Sequence, residues 1–277
     1  MTWGHENPGT LTRMLSFGRL AGSLMAASII LLVAACGGSG GDERRLTVFA
    51  ASSLTDVFRE AVRQFEAANE GTKVALNFAA TSTLRLQLEQ GARADLFASA
   101  DERNMELAKQ AGLVDGAPVI FATNRLAIIA PVEGAVMRLE DLAKPDIRIV
   151  IGALQTPIGT YTLSAIERMG RDPALGPEFS VALRANVVSE ALNVRAAVAT
   201  VQFGEADAAI GYVTDAVGQN KEGLQAIPLS DAHADIAIYP IAGVRSASAP
   251  ALAREFIAFL RSEAGLRILK SFGFGGP

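Results

Sequence analysis

The 277-residue sequence has little of the chemistry on which most enzymes and disulfide-stabilised proteins depend. It contains one cysteine, so no internal disulfide can form, and only two histidines. It lacks a Gly-x-Ser-x-Gly turn, a His-Glu-x-x-His zinc motif, a phosphate-binding P-loop and a cysteine pair. These absences disfavour a hydrolase or transferase, and a histidine that reaches Ser53 from a distant part of the chain is the one route left open.

Charge is also scarce. Charged residues make up 19% of the chain, the formal net charge is −4, and no stripe of lysine and arginine occurs. Nucleic-acid binding needs such a stripe, so nucleic acid is excluded as a partner. Half of the residues are apolar, with alanine and glycine abundant, which is typical of a soluble α/β protein with one large or two modest domains.

The N-terminal apolar run is shorter than the roughly 20 residues that a membrane-spanning helix needs. It covers residues 20–35 and ends in LVAAC, which resembles the bacterial lipoprotein cleavage box. We therefore predict a signal peptide over residues 1–35, lipidation of Cys36 and a flexible tether over residues 36–45. A secretory signal with an incidental cysteine and an uncleaved anchor are the alternatives. The protein is expected at the outer face of the cytoplasmic membrane or in the periplasm.

Beyond the tether, strand-like and helix-like patterns alternate. Residues 46–49 form a β-branched and aromatic run, and apolar residues at helical spacing extend from Val57 to Phe65. Between them, Ser53 and Asp56 make a Ser-x-x-Asp start that is close to a helix capping box. A helix start of this kind offers free backbone N–H groups and the positive end of the helix dipole, which suits a small anion. An ordinary helix cap is the alternative.

Similar strand ends and helix starts recur along the chain. The alternation predicts parallel sheets flanked by helices, with ligands bound at the carboxyl ends of the strands. We predict two lobes, the first made of residues 46–122 plus 236–277 and the second of residues 123–235, with a cleft between them. Five residues are predicted at strand ends or helix starts around that cleft: Ser53, Thr81, Ile158, Val194 and Tyr212.

Six segments carry a resemblance to a known family. They are residues 49–55 (FAASSLT), 94–101 (ADLFASAD), 157–161 (PIGTY), 193–195 (NVR), 211–216 (GYVTDA) and 269–274 (LKSFGF). Together they resemble the signature motifs of the molybdate-binding proteins of bacterial ABC transporters, over nearly the whole chain after the tether. The resemblance implies a two-lobed periplasmic-binding-protein fold of type II, with the ligand in the inter-lobe cleft and no enzymatic activity.

The same resemblance implies which hydroxyl groups contact the ligand. The family holds a tetrahedral oxyanion, molybdate or tungstate, with neutral donors. By position, Ser53 gives its hydroxyl and backbone N–H, and Tyr212 gives its phenol. Thr81 stands where the family usually has a serine, and Ser82 follows it, so either one can supply the remaining hydroxyl.

Backbone donors complete the implied site, since Ile158 and Val194 contribute N–H groups, and no direct metal ligand is expected. A fully deprotonated dianion carries only acceptor oxygens, so a set of donors without a carboxylate suits molybdate, tungstate or sulfate better than phosphate. Sulfate, thiosulfate, phosphate or a small organic acid on the same scaffold are the competing ligands. A lipoprotein with a purely scaffolding role is the other alternative.

The resemblance further implies partners and a mode of action. We expect a monomer without a cofactor that closes around its ligand by hinge motion and presents it to an ABC permease with its ATPase. Asp95, Asp101 and Asp215 have the spacing of caps and turn formers rather than ligands. Arg195 follows a helix start, and we interpret it as a solvated or lobe-bridging arginine rather than an anion clamp.

Overall fold

The computed structural model describes residues 44–217 and 222–277, which belong to one compact unit. The predicted signal peptide and the lipidation site Cys36 lie outside the described residues. Within residues 44–217 and 222–277, no helix is long and apolar enough to cross a membrane.

Strands and helices alternate along the described chain, as the sequence pattern predicts. The strands are β1 (Arg44–Ala51), β2 (Thr72–Ala79), β3 (Leu96–Ala98), β4 (Val114–Asn124), β5 (Leu126–Pro131), β6 (Ile149–Gly152), β7 (Val187–Ala191), β8 (Ala208–Tyr212), β9 (Leu224–Pro228) and β10 (Ala237–Val244). The α-helices are α1 (Thr55–Ala68), α2 (Thr81–Glu89), α3 (Glu102–Gln110), α4 (Pro157–Arg171), α5 (Pro177–Ala185), α6 (Val194–Gln202), α7 (Pro250–Arg261) and α8 (Glu263–Ser271). Short 3₁₀ turns cover Ser52–Leu54, Leu139–Ala143 and Val213–Ala216.

The strands form two five-stranded sheets with the same internal arrangement. Sheet 1 has the order β2-β1-β3-β10-β4, and sheet 2 has the order β7-β6-β8-β5-β9. In sheet 1, β10 runs opposite to the other four strands, and in sheet 2, β5 does. Each sheet is therefore mainly parallel, as predicted. The chain passes from sheet 1 into sheet 2 at β5 and returns to sheet 1 at β10, so the reversed strand of each sheet is the one that follows a crossing.

Some elements depart from the sequence-based expectation. Arg44 and Arg45 already pair with Thr72 and Lys73 in sheet 1, so β1 begins inside the segment predicted to be tether. The first crossing between the sheets lies at Arg125, next to the predicted position, because Asn124 still ends β4. The assignment of residues 46–122 plus 236–277 and of residues 123–235 to two separately moving lobes stays a prediction.

Helix α5 and strand β9 are absent from the sequence-based prediction. Gly176 and Pro177 are typical of a loop, but here Gly176 has a φ of 76° and Pro177 is the first residue of α5. Proline is tolerated at that position because the first helical N–H has no partner inside the helix. Strand β9 is a half-buried edge strand that pairs only with β5, so its sequence has no clear period of two.

An aromatic cluster lies between sheet 1 and the helices that cover it. Phe58 of α1 is fully buried and lies 5.7 Å from Phe121 and 6.0 Å from Phe256 between ring centroids. Tyr239 of β10 meets Phe121 edge-on at 6.4 Å. Full burial of such a side chain contributes about 1.5–3 kcal/mol to the free energy of unfolding. The cluster fixes β10, and with it Tyr239, against the rest of sheet 1.

Asp95 has a structural role in sheet 1. This agrees with the prediction that it forms a cap or turn and does not bind the ligand. Its Oδ2 atom accepts a hydrogen bond of 2.7 Å from the Thr47 N–H of β1. Its Oδ1 atom accepts from the N–H groups of Ser248 and Ala249, at 2.7 and 2.9 Å, just before α7. One buried carboxylate therefore joins β1, the residue before β3 and the start of α7.

We expect Asp95→Ala to lower the free energy of unfolding by about 3 kcal/mol, because three partly buried N–H groups lose their acceptor together. Urea unfolding monitored by circular dichroism measures the change. Asp115→Ala is the matched control, since Asp115 is exposed and its removal should change the free energy by less than about 0.5 kcal/mol. Equal stability of the two variants would contradict this role of Asp95.

Candidate functional site

A small cavity lies where the carboxyl ends of strands from both sheets meet. Its volume is about 20 Å³, far below the roughly 300–1,000 Å³ of sites for drug-sized molecules. It therefore suits a small ion better than an organic solute. Its lining comes from both sheets: Ala51, Ser52, Ser53, Ala80, Thr81, Ala100, Thr156, Pro157, Ile158, Asn193, Val194 and Tyr212.

The structure brings five of the six predicted ligand-contacting residues into this lining, which are Ser53, Thr81, Ile158, Val194 and Tyr212. Ser82 is buried in the first turn of α2 but is not part of the lining. Four helical starts converge on the cavity: the 3₁₀ turn that leads into α1, and the first turns of α2, α4 and α6. Each leaves backbone N–H groups without a partner inside its own helix.

Ser53 does not cap α1, so the capping-box expectation is wrong. The chain leaves β1 through the 3₁₀ turn Ser52–Leu54, and α1 begins at Thr55 without a side-chain cap. The Thr55 hydroxyl donates instead to the Ser52 carbonyl at 2.6 Å. This arrangement frees the Ser53 hydroxyl, whose oxygen accepts a hydrogen bond of 3.0 Å from the Tyr239 phenol.

Thr81 opens α2 and is fully buried. Its Oγ1 atom accepts a hydrogen bond of 3.0 Å from the backbone N–H of Ala100. Since an N–H group can only donate, the Thr81 hydroxyl keeps its own hydrogen for a second partner. Helix α2 has no side-chain cap, so the first-turn N–H groups beside Thr81 are also left as donors.

The first turn of α4 leaves a single backbone donor at the cavity. Pro157 has no N–H group, and the Thr156 side chain accepts the N–H of Gly159 at 3.1 Å. The next N–H, of Thr160, bonds the Thr156 carbonyl. The N–H of Ile158 is therefore the donor of this turn that is left for a ligand. Gly159 is required here, because a Cβ atom at this position would lie 2.1 Å from the Ala153 carbonyl oxygen.

Helix α6 repeats this arrangement. Asn193 is its N-cap, and the Asn193 side-chain oxygen accepts the N–H of Ala196 at 3.0 Å. The N–H of Ala197 bonds the Asn193 carbonyl. The Val194 backbone, at the first position of α6, is left facing the cavity with its N–H as a donor. Its side-chain identity matters little for that role.

Tyr212 ends β8 and is the most unusual residue of the lining. The residue is only 1% exposed, and its hydroxyl oxygen has no hydrogen-bond partner among the described residues. A buried hydroxyl without a partner costs about 1–3 kcal/mol, so such groups are rare outside functional sites. Burial raises the pKa of Tyr212 well above its usual value, so the phenol stays neutral and keeps its proton.

No charged side chain belongs to the lining formed by the described residues. Asp101 caps α3 by accepting the Asn104 N–H at 2.9 Å, and Asp215 accepts the Tyr212 N–H at 2.8 Å, which confirms their predicted structural roles. His233 contacts Asp172 at 2.6 Å and Ser230 at 3.1 Å and is not part of the lining either. The cavity therefore presents hydrogen-bond donors without a general base.

Arg195 and Asp56 form an ion pair between α6 and α1, across the cleft. Both side chains are about one-third exposed, at 30% and 29%. The arginine is therefore bound to a carboxylate of the opposite half and does not point into the lining. Of the two roles that the sequence suggested, a solvated arginine and a bridging one, the ion pair favours the bridging role.

Two residues behind the lining were missed by the sequence analysis. Tyr239 on β10 bonds the Ser53 hydroxyl at 3.0 Å, and Asn124 at the end of β4 donates to Thr214 Oγ1 at 2.8 Å, two residues after Tyr212. Tyr239 is 186 positions from Ser53 in the chain. Neither belongs to a strand-to-helix turn, so the pattern that identifies the other residues gives no signal for them.

The sequence is similar to those of known solute-binding proteins. The sequence model of the family described as bacterial extracellular solute-binding protein matches residues 46–275. The molybdate-binding protein ModA of Mycobacterium tuberculosis is 35% identical over 280 residues, which cover 100% of both chains.

Solved structures share the fold. The periplasmic molybdate-binding protein of Azotobacter vinelandii has a TM-score of 0.73 and 20% identity, covering 84% of this chain and 99% of its own. The sulfate-binding protein SubI of Mycobacterium tuberculosis has a TM-score of 0.74 and 17% identity, covering 83% and 86%. These neighbours confirm the predicted two-lobed periplasmic-binding-protein fold of type II.

A solute-binding family also confirms the expectation of a binding protein rather than an enzyme. The match covers every described strand and helix except the first two residues of β1, and the Mycobacterium tuberculosis relative aligns over the whole chain. The protein belongs to the bacterial extracellular solute-binding protein family, as a homologue of the molybdate-binding protein ModA.

Proposed function

We propose that this protein captures molybdate or tungstate outside the cytoplasmic membrane and delivers it to the permease and ATPase of an ABC transporter. The observation that carries the proposal is the buried Tyr212 hydroxyl, which lacks a partner among the described residues and belongs to a lining without charged side chains. A fully deprotonated oxyanion offers acceptors in every direction, so it can satisfy that hydroxyl and the helix-start donors together.

Each donor has an assigned role in this proposal. Ser53 gives its hydroxyl and backbone N–H, and Tyr212 gives its phenol. Ile158 and Val194 give backbone N–H groups from the second half of the molecule. Thr81 rather than Ser82 supplies the remaining hydroxyl, because Thr81 belongs to the lining. No metal ligand or cofactor takes part, because the protein contacts only the oxygen atoms that already surround the metal in the oxyanion.

Closure and location complete the proposal. Lobe 1 (residues 46–122 and 236–277) and lobe 2 (residues 123–235) close by hinge motion, and the pair between Arg195 and Asp56 holds them together. The protein acts as a monomer, held at the outer face of the membrane by a lipid on Cys36 after removal of residues 1–35. Another oxyanion, such as sulfate, thiosulfate or phosphate, is the alternative ligand.

Calorimetric titration of purified residues 37–277 with molybdate, tungstate, sulfate and phosphate tests the ligand. We expect molybdate and tungstate to bind tightly and sulfate and phosphate to give no heat. Thermal melts check the result, because ligand at 100 times its dissociation constant stabilises the folded state by about 2.7 kcal/mol. Strongest binding of sulfate or phosphate would reassign the solute, and no binding of any of the four would refute an oxyanion function.

Tyr212→Phe separates a ligand donor from a structural tyrosine. We expect oxyanion affinity to fall by about 1.5–3 kcal/mol, the cost of losing a hydrogen bond to a charged group. The free energy of unfolding without ligand should not fall, because the hydroxyl has no partner among the described residues.

Tyr161→Phe is the matched control for this experiment. The Tyr161 phenol bonds the Ile238 backbone and does not belong to the lining, and its burial raises the pKa to about 12. We expect this variant to lose about 1 kcal/mol of stability and to keep its affinity. A Tyr212→Phe variant that binds as tightly as the parent would remove Tyr212 from the site.

The lipid anchor is tested on the full chain expressed in a bacterial host. Cys36→Ser should move the protein from the detergent-extracted membrane fraction to the soluble extracytoplasmic fraction, because the acylated thiol is lost. Ligand binding should stay unchanged, since residue 36 precedes β1. A protein that stays in the membrane fraction after this change would favour an uncleaved anchor.

A further inference from the structure

We propose that a surface of sheet 1 away from the ligand cavity docks on the membrane by binding anionic lipid headgroups. Four exposed arginines, which we call the basic surface, form it: Arg93, Arg245, Arg254 and Arg261. The partner is the anionic lipid of the bilayer on which the chain is held. This inference rests on the proposed lipid anchor and is independent of the identity of the bound oxyanion.

Two of the four arginines lie at the end of sheet 1 opposite the cavity. Arg93 comes shortly before β3, and Arg245 directly follows β10, which runs antiparallel to β3. Because Gly243 of β10 lies opposite Leu96 of β3, both arginines lie beyond the amino-terminal ends of the parallel strands. The cavity lies at the carboxyl ends, and the eight residues of β1 separate the two ends by roughly 23 Å.

These two arginines line a cavity of about 360 Å³ whose other lining residues are uncharged. The Arg245 guanidinium lies over Gly112, 4.0 Å from the position that a Cβ atom would take there. No carboxylate of the described residues lies within ion-pair distance of either arginine. Two guanidinium groups without a carboxylate suit a phosphate group, which they can bind through several N–H donors.

A second cavity of about 400 Å³ adjoins the first, since Val244 lines both. It lies between the edge strand β4 and helix α7, where Arg254 and Arg261 stand about two turns apart on one side of the helix. Asp115 is the one carboxylate among its described lining residues. The two cavities together therefore carry a formal charge of 4 − 1 = +3, in a chain whose net charge is −4.

The second cavity combines its arginines with an apolar floor. Its apolar lining residues include Val119, Ile241, Ala253, Ile257 and Ala258. Arginine stems lie along apolar surface while their guanidinium groups stay at the polar boundary. A lipid headgroup region offers both kinds of contact, because phosphate groups lie directly above the apolar chains. The combination therefore fits an anionic membrane surface.

The chain that leads to the predicted lipidation site leaves the structure beside the basic surface. Arg44 begins β1 and forms an ion pair of 2.5 Å with Glu255 of α7, the neighbour of Arg254. Cys36 precedes Arg44 by eight positions, a length of at most about 28 Å. A lipid on Cys36 would therefore keep the basic surface close to the bilayer. Under such tethering the effective concentration is on the order of millimolar, so weak electrostatic binding is enough.

Docking of this kind has a consequence for the transport cycle. A protein that rests on its basic surface holds the ligand cavity at the far end of sheet 1, towards the solution. It can take up ligand in that orientation, but it must leave the lipid surface to present the cavity to a permease. A contact made by a few exposed arginines is weak enough for such release.

Vesicle sedimentation of purified residues 37–277 tests the proposal. This protein contains the whole described compact unit and carries no acyl chain. We expect it to bind vesicles of phosphatidylcholine with about 30% phosphatidylglycerol, to ignore pure phosphatidylcholine, and to be released at about 0.5 M salt. Arg93→Gln combined with Arg245→Gln should lower the partition coefficient about thirtyfold, which is about fivefold for each arginine.

Arg171→Gln combined with Arg184→Gln is the matched control. These exposed arginines at the ends of α4 and α5 remove the same charge from sheet 2, so partitioning should change by less than about twofold. Circular dichroism melts check that both double variants stay folded.

Absence of binding to the anionic vesicles, or equal losses in the two double variants, would overturn the docking surface. A dimer in solution that Arg93→Gln with Arg245→Gln dissociates would assign the surface to a second copy of the chain. Calorimetric binding of soluble glycerol phosphate that the same variant abolishes would assign it to a free anion. The vesicle test needs neither an acyl group nor molybdate, so it can fail while the Cys36→Ser fractionation and the molybdate titration succeed, and the reverse.

Discussion

The structure depends on one constraint, which is that buried backbone donors must find acceptors. Four helical starts meet at a single cavity between two sheets, and each brings N–H groups that its own helix cannot satisfy. Thr156 and Asn193 satisfy one such group each, and Pro157 removes another. What remains is a small set of donors that converge from both halves of the molecule. An anion bound there, as proposed, would give these donors the acceptors that the fold itself does not supply.

The two sheets explain how those donors come to face each other. In each sheet the carboxyl ends of the parallel strands lie on the same side. Each sheet also has one antiparallel strand, which is the first strand after the chain crosses from the other sheet. Asn124 closes β4 just before the first crossing, and Tyr239 lies on β10 just after the second. The residues that link the two halves are therefore the same residues that lie behind the cavity.

Local sequence patterns predict the parts of the site that are made locally. Ser53, Thr81, Ile158 and Val194 all stand where a strand gives way to a helix, and the α/β order and caps such as Asp101 follow from the same patterns. The 3₁₀ turn before α1 could not be predicted from the sequence. Serine is a preferred N-cap residue, so Ser53 was expected to cap the helix, but it does not. Helix α5 was not predicted, because Pro177 at its first position ordinarily indicates a loop.

Contacts between distant segments could not be read from the sequence. Tyr239 bonds Ser53 from 186 positions away, and its surroundings on β10 match no motif. The pairing of Arg195 with Asp56 was open between two interpretations until the fold placed α6 opposite α1. Such pairings depend on tertiary packing, which overrides the preferences of any single segment.

The neutrality of the cavity lining has a consequence for the conditions in which the protein can work. An anion that approaches a chain of net charge −4 is weakly repelled at long range, and dissolved salt screens that repulsion over about 8–10 Å. The donors in the cavity act at contact distance, where screening has little effect. Capture by fixed dipoles, as proposed, would therefore tolerate changes in ionic strength that weaken a site built from lysine and arginine. This property suits a protein in a compartment whose salt content follows that of the surroundings.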